Sequence, residues 1–191
     1  NLNTKEVEKY VNWLNNFVLK QTGINLFNIL KYENDSLSQY KQDLFVLSEL
    51  EFKKNGYFVE FGATNGKDIS NTFLLEKIFN WKGILAEPAK QWHTELLKNR
   101  NCDIEKDCVW SDSNIKLEFV ELGVLSTLGK FQDSDNHNRS NSRKYLVNTI
   151  SLNDLLKKYD APSKIDYLSI DTEGSEFDIL TFLNFDKYKI K

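Results

Sequence analysis

Three apolar runs in this 191-residue chain each stop at or beside a carboxylate. The first, Tyr57-Phe58-Val59-Glu60-Phe61, passes into Gly62-Ala63-Thr64-Asn65-Gly66. Gly62 and Gly66 permit a sharp turn and a close backbone approach to a ligand that a Cβ would obstruct. The spacing E-x-G-x-x-x-G is not the G-x-G-x-x-G of dinucleotide sites, and an acidic residue at this position suits a ligand with a cationic end better than a diphosphate. The second run, Gly83-Ile84-Leu85-Ala86, ends in Glu87-Pro88. A carboxylate there can accept both hydroxyls of a ribose, although a solvated residue before a turn would look the same. The third, Ile165 to Asp171, opens into Thr172-Glu173-Gly174-Ser175-Glu176. Clustered acids can act as general base, as oxygen ligands for a cation, or as contacts to a cationic ligand. Thr172, Glu173 and Glu176 would equally serve the start of a following helix over 177–182.

Strands must carry these acids. Tyr57, Phe58, Val59 and Phe61 favour a pleated, buried segment, and Pro88 stops the second strand after Glu87. Between them, Phe73, Leu74, Leu75 and Ile78 predict a helix over 70–79, with Ser70 or Asn71 as N-cap. The order strand, helix, strand sets the two strands side by side with Glu60 and Glu87 at one edge, where ligands of open α/β sheets bind. Upstream, Val7, Val11, Leu14, Val18 and Leu19 recur at helical spacing, and Leu44, Phe45, Val46, Leu47 and Leu50 predict a second helix before the break at Lys53-Lys54-Asn55-Gly56. Leu117 to Glu121 alternates as a strand does. The stretch 131–143 is polar and holds Asp133, Asp135, His137, Arg139 and Arg143. His137 could take a proton from a substrate hydroxyl there, or be a solvated loop histidine. His93 reads as a surface residue.

Composition bounds the function. At 40% hydrophobic and 13% aromatic, the chain can bury the core of a single domain. A net charge of -3 and a pI near 5.5 argue against a nucleic-acid footprint. No apolar stretch suits a membrane span and no secretory pattern opens the chain, so the expectation is no membrane partner and a cytoplasmic setting. Cys102 and Cys108 are then expected as free thiols, and no Cys/His quartet offers a thiolate metal site.

The phrases FVEFGATNG, SNTFLLEK, GILAEP, DCVWSDS, TISLNDLL and IDYLSIDTEGSEFDIL together resemble the FkbM-type family of S-adenosylmethionine-dependent methyltransferases, over most of 38–191. The resemblance implies an α/β fold with a Rossmann-like class I methyltransferase sheet, helices on both faces and an N-terminal helical extension. In that reading residues 1–54 form the extension, with Tyr40, Gln42 and Asp43 as a polar segment before the glycine loop. Residues 55–191 form the S-adenosylmethionine-binding domain, and the sheet breaks off after the start of a fifth strand near Asp186 to Lys191. Glu60, Gly62, Ala63, Thr64, Asn65 and Gly66, with Asn71, would surround the methionine end. Glu87 and Pro88 would hold the ribose, and Asp107, Cys108 and Val109 would flank the adenine, where Trp110 either stacks or packs in the core. Asp171 would stand beside the methyl donor and, with His137 or Glu173, position or deprotonate an acceptor hydroxyl on a sugar, glycan or other small metabolite. A divalent cation on Asp171 and Glu173 is an open alternative, as is the oligomeric state. A non-catalytic cofactor-binding module on the same fold also remains open. A nicotinamide-dependent reductase fits less well, because no tyrosine has a lysine four positions on.

Overall fold

The computed structural model describes residues 26–134 and 136–191, so the amphipathic helix expected between Val7 and Leu19, and Asp135, lie outside the described residues. The chain runs through α1 (Leu26–Tyr32), α2 (Gln42–Glu49), β1 (Tyr57–Phe61), α3 (Phe73–Lys77), β2 (Lys82–Ala86), α4 (His93–Asn99), β3 (Asp103–Glu105) and β4 (Cys108–Trp110). It continues with β5 (Lys116–Glu121), β6 (Thr127–Leu128), β7 (Arg143–Ser151), α5 (Leu152–Lys158), β8 (Lys164–Ile165), β9 (Tyr167–Ile170), α6 (Glu176–Thr181) and β10 (Lys189–Ile190). The result is a mixed α/β structure.

Four parallel strands in the order β3-β2-β1-β9 set the frame for the three acids. Side chains alternate across a strand, so β1 feeds two separate cores. Val59 and Phe61, with Ile84 and Ala86, meet Leu152, Leu155 and Leu156 of α5 and Ile179 of α6. Phe58 and Leu85 meet Leu44 and Leu47 of α2, Leu74 and Leu75 of α3, and Leu96 of α4 on the other face. Helices therefore cover both faces, which explains why β1 is apolar throughout apart from Glu60. The α1–α2 segment belongs to the second core, through Ile29 and Tyr32 as well as α2. Among the helices, α5 shows its local causes most plainly. The Ser151 hydroxyl accepts the Asp154 N–H as N-cap, Leu152, Leu155 and Leu156 share one buried face, and Lys157 and Lys158 lie at the negative end of the dipole.

β8 and β9 flank Asp166, whose N–H donates to the Tyr57 carbonyl at 2.9 Å and continues the ladder along β1. β10 pairs parallel with β8, Lys189 beside Lys164, at the place where a fifth strand is expected. A second sheet, β4-β7-β5-β6, joins β4 to β7 in parallel and the remaining strands antiparallel. Trp110, Phe119, Leu128 and Val147 form its core, which assigns Trp110 to packing. The helix expected over 70–79 is only five residues long, Phe73–Lys77. Ser70, Asn71 and Thr72 do not enter it because their polar groups turn towards Glu60 instead.

Candidate active site

The loop after β1 is shaped from within. Gly62 has φ +74°, and a Cβ built on it would lie 2.0 Å from the Asp171 carbonyl oxygen. Gly66 has φ +75°, and its Cβ would meet Leu96 Cδ1 at 2.5 Å. Both glycines are thus demanded by the protein's own packing, which revises the expectation that the absent side chains leave room for a ligand. Gly62 still lines the crevice, but the space beside its Cα is filled by the end of β9. Ala63 is buried, and the Asn65 side chain accepts the N–H groups of Lys67 and Asp68 while its amide donates to the Asp68 and Glu95 carboxylates. Thr64, also at positive φ, sends its N–H to Glu87 Oε2 at 2.8 Å.

Glu60 is spoken for by the same loop. Its buried carboxylate accepts from the Ser70 and Thr72 hydroxyls and from the Asn71 N–H at 2.9 Å. Arg100 stands 3.9 Å away and is itself fully engaged, donating to Glu76 Oε2 at 2.6 Å, to the Gly66 carbonyl, and to the Ser70 and Thr72 hydroxyls. Burial pushes the Glu60 carboxyl up, with Arg100 and the hydrogen bonds pulling the other way. The Glu60–Arg100–Glu76 network pins the loop to α4 and leaves Glu60 a structural partner first. A lone arginine after a helix gives no sign of this in sequence.

Glu87 is different, because it is buried and faces the crevice. Its two oxygens accept the N–H groups of Thr64 and Ala89, at 2.8 and 2.7 Å. A carboxylate has about four acceptor positions, so two remain for a ligand. Burial raises the carboxyl to about 7, with those hydrogen bonds opposing and the nearby Glu121 charge reinforcing the rise. Pro88, Cys108 and Val109 line the wall beside it, while Asp107 does not reach the crevice. Burial pushes the Cys108 thiol up to about 12, so it acts as apolar surface.

Asp171 lies where two chambers meet. One is the main crevice, a cavity of about 60 Å³ between Glu87 and the β5–β6 hairpin. The other is a polar side chamber bounded by Gln39, Gln42 and Asn71. The Asn71 amide donates to the Ser169 hydroxyl at 3.0 Å, and its buried Oδ1 has no partner. The Asp171 carboxyl is raised by burial and then by the charge of Glu176. Glu176 closes the turn by accepting the Thr172 N–H and hydroxyl and the Gly174 N–H, and these bonds outweigh burial and lower its pKa. Glu173 sits 3.7 Å from Arg139 Nη2, and His137 is exposed and does not line the crevice. The structure thus brings Gly62, Thr64, Glu87, Pro88, Cys108, Val109 and Asp171 together, with Glu60, Ala63 and Asn71 in the side chamber. Among the described residues no three His, Cys, Asp or Glu side chains converge as metal ligands.

A buried carboxylate fixed by two N–H donors, an apolar slot beside it and a second carboxylate at the junction with a polar chamber have the chemistry to hold a hydroxylated ligand with an apolar part. The model of the methyltransferase FkbM domain matches residues 60–191. No curated protein and no solved structure matches the chain.

Proposed function

Since the chain belongs to the FkbM methyltransferase family, we propose that it carries the methyl group of S-adenosylmethionine to a hydroxyl oxygen of a sugar or other small metabolite. The observation that carries this reading is the Glu87 carboxylate, fixed by two N–H donors at the end of β2 and open to the crevice. The parallel order β3-β2-β1-β9, with helices on both faces, supports a Rossmann-like class I arrangement in which cofactor lies across the strand ends. Glu87 accepts the ribose hydroxyls, and Pro88, Cys108 and Val109 form the slot for the base. The unpartnered Asn71 Oδ1 suits the ammonium at the methionine end, with Gln39 and Gln42 beside it.

When bound, the cofactor supplies an already activated sulfonium methyl, so the protein has to align an acceptor oxygen and remove its proton. Asp171 does this at the junction of the chambers. Its raised carboxyl is a stronger base than an ordinary aspartate. Neither Glu173 nor His137 lines the crevice, and in this reading each acts from the rim, on its own loop. A cytoplasmic setting and a small-molecule or glycan acceptor complete the reading.

Calorimetry with S-adenosylhomocysteine, followed by tritiated methyl transfer to a panel of hydroxylated sugars and metabolites, tests it. Heat of binding and label in at least one acceptor are expected. Binding with no transfer to any acceptor would leave a cofactor-binding module, and a melting shift with NADH alone would overturn the assignment.

A further inference from the structure

Arg139 sits in a polar stretch whose neighbours 136–138, 140 and 141 are exposed, yet only 6% of its own surface is accessible. Burying a guanidinium is unfavourable unless its donors find acceptors, so its partners show what the burial achieves. Nε donates to the Leu125 carbonyl at 2.9 Å, Nη1 to the Gln132 carbonyl at 3.0 Å, and Nη2 faces the Glu173 carboxylate at 3.7 Å. These acceptors belong to three segments around one end of the crevice. Leu125 closes the turn 123–125, whose Gly123 and Val124, with Ser126, line it. Gln132 follows Phe131, whose ring would lie 3.1 Å from a Cβ on Gly174. Glu173 follows Thr172 and Asp171, which line the crevice as well.

The turn at 123–125 has little packing of its own. A Cβ on Gly123 would meet nothing within 4 Å, and Val124 is 53% exposed. Its place depends on hydrogen bonds, from Ser126 Oγ to the Gly123 carbonyl and from Arg139 to the Leu125 carbonyl. A second tie runs the same way, because the buried Thr127 hydroxyl donates to the carbonyls of Glu173 at 2.9 Å and Thr172 at 3.3 Å. None of these bonds touches the loop 62–66 or Glu87, on the side assigned above to the cofactor.

We propose that Arg139 is a positioning residue that fixes one wall of the crevice, the β5–β6 turn, to the turn carrying Asp171. The proposed function puts the acceptor at Asp171, and on that reading the wall clasped to its turn faces the acceptor; the clasp rests on the geometry alone. A planar guanidinium reaches three diverging acceptors at once, whereas a lysine ammonium at the end of a flexible stem holds fewer of them.

Amide hydrogen exchange on the parent, Arg139→Lys and Arg139→Gln tests the clasp, with S-adenosylhomocysteine affinity measured in parallel. In Arg139→Gln, peptides spanning 122–132 and 172–175 should exchange about tenfold faster or more, while β1, β2 and β3 keep parental rates. Arg139→Lys should fall between, and affinity for S-adenosylhomocysteine should change by less than about threefold in both variants. Parental exchange in those two segments, or acceleration spread evenly over the molecule, would overturn the proposal. Should Arg139→Gln not fold, the lysine variant decides alone, since parental rates there would also overturn it. A parent that fails to bind S-adenosylhomocysteine would sink the functional reading and leave the exchange result to judge Arg139.

Discussion

The proposed function gives Glu87 the cofactor and Asp171 the acceptor, and each role can be tested alone. Glu87→Gln removes the charge that strengthens two hydrogen bonds to the ribose, so S-adenosylhomocysteine should bind about 30-fold to 1,000-fold more weakly, or roughly 2–4 kcal/mol by calorimetry. The pH dependence has two opposite signs. Folding lifts the Glu87 carboxyl from its ordinary 4.5 to about 7. Its contribution to stability is therefore full below about 4.5 and lost as pH rises to about 7, whereas cofactor binding needs the ionised form and should weaken about tenfold between pH 8 and pH 6. Glu87→Gln should flatten both curves, seen in melting temperatures and in affinities across that range. Asp171→Asn should lower turnover by about 100-fold or more with little change in affinity for S-adenosylhomocysteine. The placement of both acids at strand ends is legible in the sequence, because an apolar run that halts at a carboxylate before a turn marks the end of a buried strand. That of Arg100 and Arg139 is not, since an arginine bound for the interior has the same local sequence as one bound for solvent.

At the scale of elements, β1, β2 and β9 of the parallel sheet are readable as apolar runs, whereas the three-residue β3 and, apart from β5, the second sheet are not. β4 is three residues long and β6 two, too short for any period to register. The helix after the glycine loop is shorter than its apolar spacing predicts, because Glu60 recruits the polar residues that would have capped it. The glycines of the loop stand out in the sequence while their purpose does not, because close approach of another strand and close approach of a ligand leave the same mark. This gives a prediction for the loop as a unit. Gly62→Val should lower the melting temperature of the free protein, as its side chain would strike the Asp171 carbonyl before any ligand arrives. Arg100→Met should destabilise by about 3–5 kcal/mol in urea unfolding, since it strands the Glu60 and Glu76 carboxylates next to an apolar side chain. A loss below about 1 kcal/mol would mean that the network is dispensable.

For the whole molecule, the decisive neighbours are far apart in sequence. Phe58 of β1 pairs with Tyr167 of β9, and everything from α3 to α5 is threaded between them. During synthesis, β1 and β2 leave the ribosome long before β9 exists. Until β9 docks, β1 presents an unpaired inner edge, Gly62 faces a gap, and the crevice lacks the wall that holds Asp171. Assembly of the binding site is thereby tied to a segment made much later than the loop it completes, and the nascent protein passes through a long interval with a sticky, half-made sheet. A fragment ending at Asp160 should accordingly be cleaved rapidly within 57–61 by a nonspecific protease that leaves the 191-residue chain intact there.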